Sequence, residues 1–227
     1  MALYYSKDFF DQHDKKYDYI ADEDIAFLLR RVPSFQSTGI VLDLACGSGA
    51  VGEKIQQLFP NIQVIGADIC LNLLKWSEYP VCQSNAFQLP FKGDSFDCII
   101  VAAAFHHFGH RNIEKVANEC FRCLKQKGSF VAYDPNKYHP QRFIMMTNPL
   151  RYFFYKNGDH AISPHYFKKI LLKTKFKNIS ITFFSLKGRG SGHLSRLNYN
   201  VFVNISNSKL KLLLPVLSPW FIITGIK

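Results

Sequence analysis

Apolar positions along this chain fall into short runs that alternate between the strand and helix periods, and the alternation predicts a doubly wound α/β sheet. Ile40 to Leu44 is an apolar run that stops at glycine-rich sequence, and Val51 to Phe59 carries helical spacing after it. Asn61 to Asp68 reads as a second buried strand ending on an acid, and Leu71 to Ser77 as a helix. Phe96 to Ala104 is a nearly continuous apolar strand suited to the centre of a sheet. Ile113, Val116, Ala117, Cys120 and Leu124 keep the spacing of an amphipathic helix, Gly128 stops it, and Ser129 to Asp134 is the next strand. The rhythm then breaks over 135–162, a stretch with three prolines and many aromatics that reads as an insertion or lid. Ser163 and Pro164 supply a capping hydroxyl and a first-turn proline for a helix to about Lys173. Lys177 to Leu186 reads as a strand, Lys187 to Gly192 as a basic loop, and Trp220 to Ile226 as a last strand.

A chain of 227 residues with 48% hydrophobic content can bury one substantial core, so a single domain over 1–227 is expected, with 1–35 as an N-terminal helical cap. No run is long and apolar enough for a membrane span, and the acidic, aromatic start MALYYSKDFFDQHDKK does not read as a signal peptide, so a cytoplasmic location is expected. All six cysteines lie in the first 123 residues, mostly within apolar runs where cysteine packs as a small hydrophobe. Cys120 and Cys123 have CxxC spacing, but no second ligand pair follows, and no metal is expected. Charge divides the chain: residues 1–130 hold 13 Lys and Arg against 15 Asp and Glu, whereas 131–227 hold 15 against 2. A basic C-terminal third with interleaved aromatics suits an anionic acceptor, a membrane surface or nucleic acid, or serves solubility alone.

The turn after the first strand narrows the chemistry. Strand, glycine-rich turn, helix, strand and acid form an arrangement that binds an adenosine-bearing ligand, because glycine lets the backbone approach closely and the acid can hold ribose hydroxyls. Gly47, Gly49 and Gly52 spell GxGxxG, with Asp68 21 residues after Gly47, so a dinucleotide-binding dehydrogenase fits the outline. Asp43 discriminates: a carboxylate just ahead of the turn repels a pyrophosphate and suits the ammonium of a methionine moiety, which favours S-adenosylmethionine.

VLDLACGSG at Val41 to Gly49 resembles the first motif of class I S-adenosylmethionine-dependent methyltransferases. QSNAFQLPFKGDSFDCIIVAAAFHHF at Gln83 to Phe108 is similar to the later motifs of their small-molecule branch, typified by ubiquinone and menaquinone biosynthesis methyltransferases. FFDQHDKKYD at Phe9 to Asp18 is a weaker echo of that family's N-terminal helix. The resemblance implies a Rossmann-like seven-stranded, mostly parallel sheet with helices on both faces. It implies Asp43 and the backbone of Ala45, Cys46, Gly47 and Gly49 around the methionine end of S-adenosylmethionine, Asp68 on the ribose hydroxyls and Ile69 against adenine. Asn85 stands where the family usually has aspartate, with Ala86 donating to the adenine ring. Ala102, Ala103 and Phe105 would line the methionine side, and Tyr17 would close over the cofactor. Ala45 also departs from the common glycine, which alanine replaces readily only if the backbone there is not left-handed.

Methyl transfer from a sulfonium is an in-line displacement, so the enzyme aligns two partners and, for a hydroxyl or carbon acid, removes a proton. His106 and His107, on an irregular segment at the end of the central strand, are candidate bases or orienting residues, and His139 beyond Asp134 is another. A small-molecule acceptor that is anionic, aromatic or lipid-like is expected, with membrane-surface association through the basic third as an accompanying expectation. The apolar stretch from Leu210 to Ile223 could face lipid or be buried as a last helix and strand. The alternatives are an RNA methyltransferase using the basic third, although no appended RNA-binding module is visible, and a non-catalytic S-adenosylmethionine-binding interaction protein.

Overall fold

In the computed structural model, which describes residues 22–29, 32, 38–140, 161–185 and 193–227, the apolar runs assemble into a seven-stranded sheet. Its strands are β1 (Gly39–Leu44), β2 (Ile62–Asp68), β3 (Val81–Gln83), β4 (Phe96–Ala102), β5 (Leu124–Pro135), β6 (Lys177–Phe184) and β7 (Trp220–Ile226). They lie in the order β3-β2-β1-β4-β5-β7-β6. The first five are mutually parallel, and β7 inserts antiparallel between β5 and β6. This is the expected Rossmann-like, mostly parallel sheet.

The sheet has a core on each face because adjacent residues of a strand point to opposite sides. Leu42, Leu44, Ile99, Val101, Phe130 and Ala132 pack on one face, with Ile113, Val116, Ala117 and Cys120 of α5 (Ile113–Cys123) and Phe167 and Leu171 of α6 (Pro164–Lys173). Val41, Val64, Ile100, Val131 and Tyr133 pack on the other, with Val51 and Ile55 of α2 (Ala50–Leu58) and Ile25, Leu28 and Leu29 of α1 (Asp22–Leu29). Burying one such aliphatic side chain is worth about 1.5–3 kcal/mol, so the two clusters anchor the strand ends firmly. The Ser163 side chain caps α6 by accepting from the Tyr166 N–H, with Pro164 in the first turn, as its sequence predicts.

Several elements depart from the sequence reading. The helix after β2, α3, stops at Leu74 (Leu71–Leu74). His106 and His107 lie on a short helix, α4 (Phe105–Phe108), where an irregular segment is expected from sequence. The short β3 and the helix α7 (His193–Ser206) carry no clear period: β3 has three residues, and α7 contains three asparagines and two β-branched valines. The 209–217 stretch forms a 3-10 turn (Lys209–Leu213) leading into α8 (Leu214–Leu217). Of the expected cap at 1–35, Asp22–Leu29 is helical, while Tyr17 lies outside the described residues. So does most of the 135–162 insertion, of which 135–140 and 161–162 are described.

Candidate functional site

Because β1 to β5 run parallel, the loops that follow them gather along one edge of the sheet, where ligands of open α/β sheets bind. The turn from β1 into α2 is the most constrained of these loops. Ala45, Gly47 and Gly49 all have left-handed backbones, with φ of 58°, 55° and 88°. A side chain on Gly49 would also meet Ser77 at 2.8 Å. Alanine is therefore held at position 45 against its preference, and Ala103, after β4, shares the conformation with φ of 50°. Two strained alanines at neighbouring strand ends mark this edge as one where backbone shape outranks local stability.

Asp43 sits beneath the turn. Its side chain is 0% exposed, and one oxygen, Oδ2, accepts from the Gly52 N–H (3.0 Å) and the Tyr79 hydroxyl (2.7 Å). Its other oxygen has no hydrogen-bond partner among the described residues. Burial, only partly offset by these donors, pushes the carboxyl up to about 6. Asp43 therefore lies beneath the turn with its charge directed across it. Tyr79 is a residue that the sequence reading missed. It explains Gly52 as well, since a Cβ there would lie 2.3 Å from the Tyr79 ring, so the third glycine of GxGxxG makes room for a tyrosine.

Asp68, at the end of β2, is half-buried at the open edge. Its two oxygens accept from the Gly47 and Cys70 N–H groups, each at 2.8 Å, tying the first turn to the second. Burial raises its pKa against those N–H donors, and lone pairs remain for a ligand hydroxyl. Ile69 beside it is 38% exposed, an apolar surface at the same rim. Asn85 is exposed, with Oδ1 accepting from the Phe87 N–H in its own turn, and Ala86 is buried behind it. Cys46 is buried with its thiol pushed up, chiefly by burial and then by Asp43 and Asp68.

Beyond β4 the structure separates neighbours that the sequence groups together. Phe105 is 0% exposed and packs against Phe108, Phe130 and Phe167 in the core. His106 is 7% exposed and meets Asp134 at the end of β5, its Nδ1 2.6 Å from Oδ1, with its backbone N–H also donating to that oxygen. Asp134 is fully buried, and burial raises its pKa more than the His106 contacts lower it. An ionised carboxylate only accepts, so with Asp134 ionised the ring proton of His106 sits on Nδ1. The His107 ring lies against His106, tilted by 47° with centroids 3.8 Å apart. His139 is buried in the turn after β5, its N–H donating to the Asn136 carbonyl.

The edge therefore joins a backbone-lined turn, a half-exposed carboxylate beside an apolar rim, a buried carboxylate below, and an Asp–His pair. Comparisons with known proteins agree with this geometry. Residues 42–132 match the family model of the methyltransferase domain. The chain is 34% identical over 108 residues to a demethylmenaquinone methyltransferase of Thermotoga maritima, covering 45% of this chain and 46% of that one. It is 32% identical over 127 residues to a ubiquinone/menaquinone biosynthesis C-methyltransferase of Rickettsia rickettsii, covering 48% of each. The chain thus spans about half the length of these curated relatives. A crystal structure of a SAM-dependent methyltransferase from Archaeoglobus fulgidus superposes with a TM-score of 0.65 at 18% identity, covering 91% of this chain and 95% of that one.

Proposed function

We propose that this chain, whose residues 42–132 match the methyltransferase domain, transfers a methyl group from S-adenosylmethionine to a small, proton-bearing, amphiphilic acceptor. One observation carries the reading: a left-handed, backbone-lined turn stands over a buried carboxylate, Asp43, and beside a second carboxylate, Asp68. Negative charge there favours a cationic ligand and disfavours the pyrophosphate of a dinucleotide. The residues fit the cofactor at both ends. Asp68 would hold the ribose hydroxyls, Ile69 would cover the adenine, and the backbone of 45–49 would meet the methionine end, with Asp43 supplying its field from below.

When bound, S-adenosylmethionine supplies an electrophilic methyl on a sulfonium. The chain's own work is alignment and proton removal. Asp134 holds the Nδ1 side of the His106 ring, which fixes the ring's orientation. His106 Nε2 would take the proton of the acceptor's O–H, N–H or activated C–H, leaving that atom's electron pair for the methyl group that the cofactor would release from its sulfur. Demethylmenaquinone and ubiquinone-pathway relatives support an acceptor of quinone-precursor size, as does the aromatic composition of the stretch after β5.

The test is a thermal-shift series followed by labelled methyl transfer. S-adenosylmethionine or its demethylated product should raise the melting temperature at concentrations where NAD does nothing. The opposite ranking would sink the cofactor assignment. Transfer of labelled methyl from S-adenosylmethionine into metabolite or lipid extracts would then identify the acceptor, and persistent ligand binding without transfer to any extract would favour a binding protein.

A further inference from the structure

From Ala161 to Lys227 the chain holds 11 Lys and Arg and no Asp or Glu. Within that stretch, the 3-10 turn Lys209–Leu213 and α8 bury none of their side chains. Leu210 and Leu212 are 57% and 85% exposed, and Leu213 and Val216 are exposed as well. Isolated exposed leucines need no explanation, but four large aliphatic groups within seven residues, interleaved with Lys209 and Lys211, form an exposed amphipathic surface. The structure divides the apolar run of the sequence: Phe221, Ile222 and Ile223 enter the sheet core, and the residues before Ser218 stay outside.

We propose that residues 209–217 dock this protein onto an anionic lipid bilayer. The aliphatic groups enter the boundary of the acyl chains, and Lys209 and Lys211 remain among the headgroups. Two observations favour lipid over other partners. The exposed groups are aliphatic, with no aromatic ring on which a nucleic-acid base could stack. A second copy would bring the same acid-free, basic segment against itself, and like charge opposes that pairing.

Position gives the docking a direction. The buried Asn136 side chain donates to the carbonyls of Pro215 (2.9 Å) and Ser218 (2.8 Å), and its backbone N–H donates to Pro219 (2.8 Å). Asn136 directly follows β5, whose Pro135 pairs with Trp220. The exposed segment is therefore clamped to the same sheet edge that carries His106, Asp134 and the glycine turn. Docking stands whether or not methyl transfer occurs; resting on the methyltransferase reading, it would present the site to an acceptor dissolved in the bilayer.

Co-sedimentation of the full chain with vesicles decides the matter, comparing phosphatidylcholine alone with roughly two-to-one phosphatidylcholine and phosphatidylglycerol. The protein should pellet with the anionic vesicles, less so with zwitterionic ones and less at high salt. The double variant Leu210→Ser, Leu212→Ser should lower partitioning by about a hundredfold, roughly tenfold for each leucine withdrawn from lipid, with an unchanged melting temperature because neither residue is buried. Lys209→Glu with Lys211→Glu should also weaken it, by about tenfold or more. Unaltered partitioning of the leucine variant would overturn the proposal. So would indifference to anionic vesicles at low salt, self-association abolished by the leucine variant, or a preference for RNA that this variant leaves intact. The thermal shift with S-adenosylmethionine, read on the same samples, reports separately on the methyltransferase reading.

Discussion

The strands from Gly39 to Pro135 and the segment from Ala161 to Lys227 complete one sheet, yet they differ in charge, in exposure and in how firmly each side chain is held. In the first region carboxylates are drawn inward and braced: Asp43 by Gly52 and Tyr79, Asp68 by Gly47 and Cys70, Asp134 by His106. The second region has no carboxylate at all and exposes aliphatic groups between lysines. The contrast teaches a division of labour. A cofactor site needs preorganised charge in a low-dielectric setting, whereas capture of an amphiphile needs accessible, adaptable surface.

The contrast breaks most visibly at the seam between the regions, where β4 and β5 bring His106 to Asp134. His106→Ala should lower kcat by about a hundredfold to ten-thousandfold, the range of a lost general base, with cofactor binding retained. Asp134→Asn should lower kcat less and shift the pH–rate profile, the outcome expected of a group that positions the ring without touching the acceptor. Unchanged kcat in both variants, with the cofactor-induced thermal shift intact, would remove the pair from the chemistry. A smaller loss is expected at Asp68. Asp68→Ala should weaken S-adenosylmethionine binding by roughly tenfold to a hundredfold by calorimetry, corresponding to one or two charge-assisted hydrogen bonds, and equal affinity would refute its ribose role.

The first region was far more legible in the sequence than the second. Apolar runs such as Phe96 to Ala102 and Trp220 to Ile226 give strands directly, and Ser163-Pro164 gives a helix start, because these signals are local. The glycine turn and Asp68 were legible for the same reason. The Tyr79–Asp43 hydrogen bond was not, since it joins residues 36 apart whose meeting depends on how α2 packs on the sheet. Nor could sequence distinguish Phe105 in the core from His106 beside it, because the turn of α4 decides that. The run Leu210 to Ile223 illustrates the limit best: hydrophobicity is similar along it, but Pro215 and Ser218-Pro219 break the chain so that one half is strand and the other exposed.

Titration sharpens the comparison further. Asp43 has a folded pKa of about 6, raised from an unfolded value of 3.8. A raised group binds more protons in the folded state, so the stability it contributes is fully present below about pH 4 and is lost as pH rises through about 6. The difference amounts to roughly 3 kcal/mol, from about 1.4 kcal/mol for each pH unit. Asp43→Asn should therefore gain stability relative to the parent as pH rises from 4 to 7, measured by urea unfolding at each pH. Asp68 and Asp134 are raised in both proteins, so the difference between the two isolates Asp43. A cationic ligand offsets the same charge, so the S-adenosylmethionine shift in melting temperature should be larger at pH 7.5 than at pH 5. A difference between parent and variant that does not change with pH would mean that Asp43 is not the titrating group.

The smallest effect separates shape from charge within the turn itself. Ala45 holds a φ of 58°, for which an L side chain is disfavoured by about 1–2 kcal/mol, whereas glycine adopts it freely. Glycine also makes the unfolded chain more flexible, which returns about 0.4–1 kcal/mol. Ala45→Gly should thus leave stability unchanged or raise it by up to about 1 kcal/mol, with no loss of cofactor affinity. A clear loss of affinity with stability unchanged would mean that the alanine methyl contacts the ligand. The turn would then be specified by its one side chain there as well as by its backbone, and the charge of Asp43 beneath it would share the selection of cofactor with that methyl group.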